Sequence, residues 1–192
     1  MNSIETIQPS VDILRAHNVP YALLHVTNIY PTPDHLVRLA AMGELLNHFP
    51  DAVIGLSDHS LTNHASFGAV ALGASIVERH FTDSRDRPGP DISCSMIPSE
   101  LEDLIKGTKI IKLASGGAKR PLEEEAKTIA FAFASVVADK DLEPGDVLSA
   151  ENIWVRRPGG GDFTSIDYEG LFGRIVSAKV PRNTQLKAEH LA

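Results

Sequence analysis

The sequence predicts an α/β fold, in which a parallel sheet with crossover helices is followed by a small β-rich domain. Apolar, β-branched runs alternate with amphipathic helical segments from residue 22 to residue 79, and this alternation is typical of parallel strands joined by right-handed crossovers. Two of the runs end in polar clusters that contain a histidine, as buried parallel strands do where they open into a site. Beyond residue 130 the apolar runs are short and separated by turn sequences, which favours a β-rich domain of about sixty residues.

Four helices and three strands are predicted in the first part of the chain. Ile4, Ile7 and Val11 recur at nearly helical spacing, and Pro20 stops the helix that contains them. The later helices show the same one-sided apolar pattern, and Asp34 is expected to cap the second of them. The predicted helices are 3–17, 36–48, 60–72 and 98–114, and the predicted strands are 21–26, 53–56 and 73–80.

The composition changes after residue 117. Residues 118–127 are charged and include Pro121 and three successive glutamates, which favours a linker or an exposed helix. Short strand candidates then follow at 131–137, 153–155 and 174–180, and residues 149–152 and 165–169 are predicted to open single helical turns. We therefore expect a first domain at 1–117, a linker at 118–130 and a second domain at 131–192.

Charge and hydropathy limit the classes of partner. The formal net charge is −7, which argues against binding to nucleic acid or to an anionic membrane because both repel an acidic surface. No apolar run approaches the roughly 20 residues that span a bilayer, and the first residues lack a signal-peptide pattern. A cytoplasmic protein is expected.

The single cysteine, Cys94, excludes an internal disulfide. It lies between Ser93 and Ser95 and has no charged neighbour in sequence. This context favours a small packing residue over a nucleophile.

His59 and His80 follow two consecutive predicted strands. Because the carboxyl ends of parallel strands lie at the same edge of a sheet, we expect the two imidazoles to be neighbours there. Two imidazoles in that position can share one divalent metal ion. The alternative is that each is a hydrogen-bonded core or rim histidine.

Four motifs, at residues 24–33 (LHVTNIYPTP), 55–59 (GLSDH), 77–82 (VERHFT) and 87–91 (RPGPD), resemble those of the bacterial N-acetylneuraminate (sialic acid) synthases. The segment from residue 131 to the last residue, including WVRRP at 154–158, is similar to their antifreeze-like (SAF) domain. The family has a TIM barrel followed by that domain, so the resemblance implies that the first domain is about three βα units from the C-terminal portion of a barrel. The reaction implied is condensation of phosphoenolpyruvate with N-acetylmannosamine and water, giving N-acetylneuraminate and phosphate.

The resemblance also implies roles for individual residues. His59 and His80 would hold a divalent ion, Mn²⁺ or Mg²⁺, that polarises the sugar aldehyde. The remaining positions would bind the two substrates. The family binds the acetamido group of the sugar with an arginine from the SAF domain of the other subunit in a domain-swapped homodimer. Phosphoenolpyruvate is assigned to Asn28 and Ser57, the sugar to Tyr30 and Asp91, and the acetamido pocket to Phe131 and Arg157.

Each of these residues also has an ordinary structural interpretation. Asn28 is a frequent turn residue and Asp91 a frequent helix cap. Tyr30 can pack with its hydroxyl in water, and an arginine such as Arg157 is usually a solvated surface charge.

The resemblance is incomplete at the front of the sequence. A barrel needs eight strand–helix units, and the family's first five strands, with the lysines and the glutamate that bind phosphate and handle protons, have no counterpart. We therefore expect the C-terminal part of a synthase, inactive alone, whose partner is either its missing half or a second copy. The alternatives are a synthase for legionaminic or pseudaminic acid, and a non-catalytic module that binds a sugar or assists assembly.

Overall fold

Three parallel strands form the sheet of the first structural unit in the computed structural model, which describes residues 1–192. The strands are β1 (Ala22–Val26), β2 (Val53–Asp58) and β3 (Ile76–Arg79), paired in the order β1–β2–β3. Val26 is in register with Ser57, and Asp58 with Arg79. The predicted α/β arrangement with parallel strands is confirmed. The chain divides into two units, Met1–Gly117 and Ala118–Ala192.

Helices pack around this sheet and enclose an apolar core. α1 begins with a capping box, in which the Ser3 and Thr6 side chains each accept a hydrogen bond from the other residue's backbone N–H. The core contains Val11, Met42, Phe49, Ile54 and Leu56. The helices are α1 (Ile4–Ala16), α2 (Asp34–Val37), α3 (Ala40–His48), α4 (His64–Ala71) and α5 (Pro98–Ala114).

The prediction of a single helix at 36–48 is wrong. The segment forms two helices separated by Arg38, which has the left-handed conformation (φ 53°). The side chains of His25 and Thr27 donate hydrogen bonds to the carbonyls of Val37 and Leu36, at 2.7 and 2.8 Å. A continuous helix would use those carbonyls for its own N–H groups. Asp34 is also not a cap, since it is the first helical residue and makes no capping hydrogen bond.

The second unit contains two antiparallel strands, β4 (Ser135–Ala138) and β5 (Ile153–Arg156), around an apolar core of its own. The strand predicted at 131–137 begins only at Ser135, because Phe131 and Ala132 belong to α6 (Ala126–Ala132). This helix and the short 3-10 turn Glu123–Glu125 occupy much of the expected linker.

The prediction of a strand at 174–180 is also wrong. Ile175, Val176 and Val180 instead form isolated bridges to three different segments of the unit. Because the partner changes every few residues, no continuous ladder develops, although Val176 and Val180 are buried in the core. Ser165–Asp167 forms a single 3-10 turn, in agreement with the sequence prediction. No helix in the chain has the length and apolar character needed to cross a membrane.

Candidate functional site

His59 and His80 follow the C-terminal ends of β2 and β3, and the structure brings their rings together. The ring centroids are 5.1 Å apart and the ring planes meet at 78°. Tyr30 lies against both rings, at 4.1 Å from the His59 centroid and 5.6 Å from that of His80. Three of the residues singled out in the sequence therefore form one cluster at the edge of the parallel sheet.

A backbone carbonyl determines the tautomer of His59. The Nδ1 atom of this buried side chain lies 3.1 Å from the carbonyl oxygen of Thr27. Because a carbonyl oxygen can only accept a hydrogen bond, Nδ1 carries a proton, and in the neutral ring Nε2 then carries the free lone pair. This is the arrangement in which metal-binding histidines are normally held by their surroundings.

The loop after β1 is anchored to the same residues. Thr32 donates its backbone N–H to the carbonyl of His59 at 2.9 Å, and its hydroxyl donates to the carbonyls of Thr27 and Ile29. The loop that carries Tyr30 is thus tied on both sides to the strand end that carries His59. This explains how Tyr30, although about half exposed, is held against the imidazole of His59.

Asp91 lies close to His80. Its Oδ2 atom is 3.7 Å from Nδ1 of His80, which is beyond hydrogen-bonding distance but close enough for electrostatic attraction. About half of the Asp91 side chain is exposed, so the carboxylate also remains accessible to a ligand.

The two imidazoles alone form an incomplete metal site. No group of three or more His, Cys, Asp or Glu side chains converges in the chain. A metal about 2.1 Å from one nitrogen of each of two histidines places the ring centroids about 5 Å apart, and the separation of His59 and His80 agrees with that value. A metal ion held by these two histidines would need further ligands to complete its coordination.

Asn28 and Ser57 lie close to this edge of the sheet. Asn28 is exposed and contributes to a groove of about 570 Å³ along β1, while Ser57 is half-buried and in register with Val26. Neither side chain makes a hydrogen bond within the chain, so the polar atoms of both are available to a ligand.

Phe131 and Arg157 belong to the second unit. Phe131 lies on α6 with most of its ring exposed. Arg157 follows β5, is exposed, and forms no hydrogen bond or ion pair within the chain. Both side chains are therefore free to contact another molecule.

Cys94 is buried in the 3-10 turn Ile92–Cys94, with 2% of its surface exposed. Burial raises the pKa of its thiol, and the nearby Asp91 carboxylate raises that pKa further. Both effects disfavour the reactive thiolate, which agrees with a packing role.

Asp58 and Arg79 each immediately precede one of the two histidines, and neither is predicted from the sequence to have a functional role. Their side chains are almost fully buried, and the Nε of Arg79 lies 3.8 Å from a carboxylate oxygen of Asp58. Two opposite charges at the ends of neighbouring apolar strands are the feature of the sequence that could have indicated this pair, because charged side chains are rarely buried unless they are paired.

Two protein-family models match this chain. The NeuB family model matches residues 1–120, and the SAF domain model matches residues 133–192. The N,N'-diacetyllegionaminic acid synthase of Campylobacter jejuni is 38% identical over 81% of this chain and 46% of its own length. The human N-acetylneuraminate-9-phosphate synthase is 30% identical over 98% of this chain and 53% of its own length.

A solved structure is similar as well. The N-acetylneuraminic acid (sialic acid) synthetase of Leptospira borgpetersenii, crystallised with citrate, matches 67% of this chain and 45% of its own, with a TM-score of 0.62 and 32% identity. The chain spans about half the length of the curated relatives it matches. From the match over residues 1–120 and the motifs around His59 and His80, we conclude that this chain belongs to the NeuB family and carries a SAF domain.

Proposed function

We propose that this chain is the C-terminal part of a synthase that condenses phosphoenolpyruvate with N-acetylmannosamine and water, giving N-acetylneuraminate and phosphate. The observation that carries the proposal is the pair of imidazoles on adjacent parallel strand ends, with Nε2 of His59 free. Membership in the NeuB family and the sugar acid synthases among the relatives support the reaction class. In this proposal residues 1–117 are about three βα units of a TIM barrel, and residues 118–130 link them to the SAF domain at 131–192.

Within this proposal, His59 and His80 hold a divalent ion, Mn²⁺ or Mg²⁺. Such an ion, when bound, polarises the aldehyde oxygen of the open-chain sugar, which a weak carbon nucleophile requires. The Thr27 carbonyl keeps the proton of His59 on Nδ1 and leaves Nε2 as the ligand atom. Tyr30 covers one face of the His59 ring and limits the access of water there.

The remaining residues bind and orient the substrates. Asn28 and Ser57 contact phosphoenolpyruvate, and their side chains have no competing partner in the chain. Tyr30 and Asp91 contact the sugar next to the histidine pair. Phe131 and Arg157 serve the acetamido group in a domain-swapped homodimer, and the free guanidinium of Arg157 suits a fixed contact with an amide oxygen.

A Mn²⁺ titration tests the metal assignment. The wild-type chain is expected to bind Mn²⁺ weakly, because two neutral imidazoles are a small ligand set, and His59→Ala or His80→Ala should reduce the affinity at least about tenfold. Binding should weaken in acid, since protons compete for the imidazole nitrogens. Electron paramagnetic resonance of free Mn²⁺ measures the bound fraction.

His48→Ala is the matched control for that titration. His48 is an exposed histidine on α3 whose Nδ1 lies near the Glu44 carbonyl of its own helix, so its removal should leave Mn²⁺ binding unchanged. Equal binding by the wild type, His59→Ala and His80→Ala would remove the metal assignment.

Synthesis of a different nonulosonic acid is the second candidate. The similarity to the legionaminic acid synthase of Campylobacter jejuni favours it, and a pseudaminic acid product belongs to the same class. A sugar that carries two acetamido groups should then replace N-acetylmannosamine as the better substrate. Comparing the two sugars as substrates of a completed enzyme distinguishes the candidates.

A further inference from the structure

Two charged residues that the proposed chemistry does not use lie beside the histidine pair. Asp58 and Arg79 are in register on β2 and β3, one residue before His59 and His80. Their side chains are 0% and 2% exposed, respectively. Because side chains alternate along a strand, and because Ser66 of α4 contacts Asp58, this pair lies on the helix-covered face of the sheet.

The Arg79 guanidinium is directed at the loop that joins His59 to α4. Its Nη1 donates hydrogen bonds to the Thr62 carbonyl at 2.8 Å and to the Asn63 side-chain oxygen at 2.5 Å. Its Nη2 donates to the Ser60 carbonyl at 2.5 Å. One side chain from β3 thus holds three points of a four-residue segment that begins immediately after His59.

Asp58 holds the same segment from the strand side. One carboxylate oxygen accepts from the backbone N–H of Ser60 at 2.9 Å, and the other accepts from the Ser66 hydroxyl at 2.7 Å. Asn63 in turn donates to the carbonyl of Glu100 and to the carboxylate of Asp103, both on α5. The loop is therefore fixed to β2, β3, α4 and α5 at once.

Stability alone is a weak reason to keep such a pair. Burying two charges incurs a desolvation penalty that well-packed apolar side chains avoid. The Nε of Arg79 is moreover buried without a hydrogen-bond partner. The guanidinium thus makes its hydrogen bonds to the loop while one of its own donors remains unpaired. The contacts made by Arg79 converge on the position of the loop, and the first residue that the loop position controls is His59.

We propose that Arg79 is a positioning residue for the candidate site. By holding the segment from Ser60 to Asn63, it keeps the His59 ring against the Thr27 carbonyl, with the proton on Nδ1 and Nε2 available as a ligand. The inference rests on the proposed function only in treating Nε2 of His59 as the working atom. The contacts of Arg79 and the predicted tautomer of His59 do not depend on which metal or sugar is bound.

Nitrogen NMR of the imidazoles tests this without metal, at about pH 8, where free imidazoles are neutral. Wild-type His59, assigned by its loss in His59→Asn, should show the Nδ1–H pattern. Arg79→Met should shift that signal toward the Nε2–H form, because the relaxed loop lengthens the contact with the Thr27 carbonyl. Arg79→Lys keeps the charge but one nitrogen cannot reach three acceptors, so an intermediate shift is expected.

A stability control separates positioning from folding. Val11 is a buried core residue on α1. Val11→Ala removes buried volume there and should lower the unfolding midpoint while leaving the His59 tautomer unchanged. If Arg79→Met does not fold, Arg79→Lys and Asn63→Ala carry the test, since each removes only part of the contact set. A folded Arg79 variant whose His59 signal matches the wild type would overturn the proposal.

Metal affinity supplies a second readout. If wild type binds Mn²⁺, Arg79→Met should weaken binding about 10- to 100-fold, as changes to residues that orient metal ligands do, and Val11→Ala should not. If wild type binds no Mn²⁺, the metal assignment fails while the tautomer measurement still decides the role of Arg79. Unchanged Mn²⁺ affinity in a folded Arg79→Met variant would count against positioning.

Discussion

Asp51 is the most strongly perturbed carboxylate at the surface of the first unit. Arg15 of α1 donates two hydrogen bonds to it, at 2.9 and 2.5 Å, and the hydroxyl of Tyr21 donates a third at 2.9 Å. The Arg15 guanidinium is the main reason that the pKa of Asp51 lies well below its usual range. The cluster joins α1, the start of β1 and the turn before β2, although its exposure to solvent screens the attraction.

This shift predicts a pH dependence. Because the pKa of Asp51 is lower in the folded chain than in the unfolded one, the contribution is present above the unfolded value of about 4 and is lost as the pH falls below it. Wild type should therefore lose more of its urea midpoint between neutral pH and about pH 3 than Asp51→Asn does.

Arg15→Gln is the matching variant, since it removes the main cause of the shift and leaves the carboxylate in place. It should show the same reduced pH dependence as Asp51→Asn. Urea denaturation followed by circular dichroism across the pH range measures the midpoints. Parallel curves for the wild type and both variants would show that the cluster contributes nothing to acid sensitivity.

At the scale of elements, a close contact joins β2 to β3. A Cβ atom added to Gly55 would lie 2.5 Å from the carbonyl oxygen of Ile76, and a backbone atom in a paired strand cannot move away easily. Gly55 therefore permits the strand spacing that brings His59 and His80 together at the sheet edge. Its role is steric and does not involve an unusual backbone conformation.

Gly55→Ala should lower the free energy of unfolding by about 1–3 kcal/mol, because it overpacks a tight contact. Gly43→Ala is the control within the same unit: nothing lies within 4 Å of a Cβ at that position of α3. This control should be neutral or should stabilise the chain by up to about 1 kcal/mol, because alanine favours a helix. Urea unfolding of the two variants provides the comparison, and equal effects would contradict the steric argument.

At the scale of the whole molecule, length and exposed apolar surface are the relevant features. The chain spans about half of the synthases it matches, and exposed apolar side chains remain on α1 and α5, including Ile13, Ile110 and Leu113. Exposed apolar surface of this kind favours association with a further segment or with a second copy.

We expect the purified chain to form no detectable N-acetylneuraminate from phosphoenolpyruvate and N-acetylmannosamine. Removing groups that stabilise charge in a transition state costs orders of magnitude in rate, and the candidate site contains no lysine to neutralise a phosphate. Adding the segment of a full-length relative that this chain does not match should restore turnover. Product formation by the chain alone, with contaminating synthase excluded, would show that the residues needed for chemistry are already present.

The restored enzyme also tests Arg157. Arg157→Ala should raise the KM for the acetylated sugar at least about tenfold, as loss of a charged hydrogen bond in a site does, and should leave the KM for phosphoenolpyruvate nearly unchanged. Lys187→Ala, which removes a surface cation of the same unit with only a 4.0 Å contact to Glu189, serves as control. An equal effect on both substrates would assign Arg157 to stability instead.

Sequence patterns were sufficient to predict the parallel strands, their order along the chain and the proximity of His59 to His80, because hydrophobic periodicity and the shared edge of parallel strands are local and topological properties. The motifs that identify the family are also visible in the sequence. The division of the second helix at Arg38 could not be predicted, since it depends on carbonyl contacts from β1.

The tautomer of His59 is visible only in the folded chain, because it is set by a carbonyl 32 positions earlier in the sequence. The same holds for the burial of Arg79 and its hydrogen bonds to the loop after His59. Hydrogen bonds between residues far apart in sequence leave no periodic pattern, so their partners become visible only when strands and loops have been brought together.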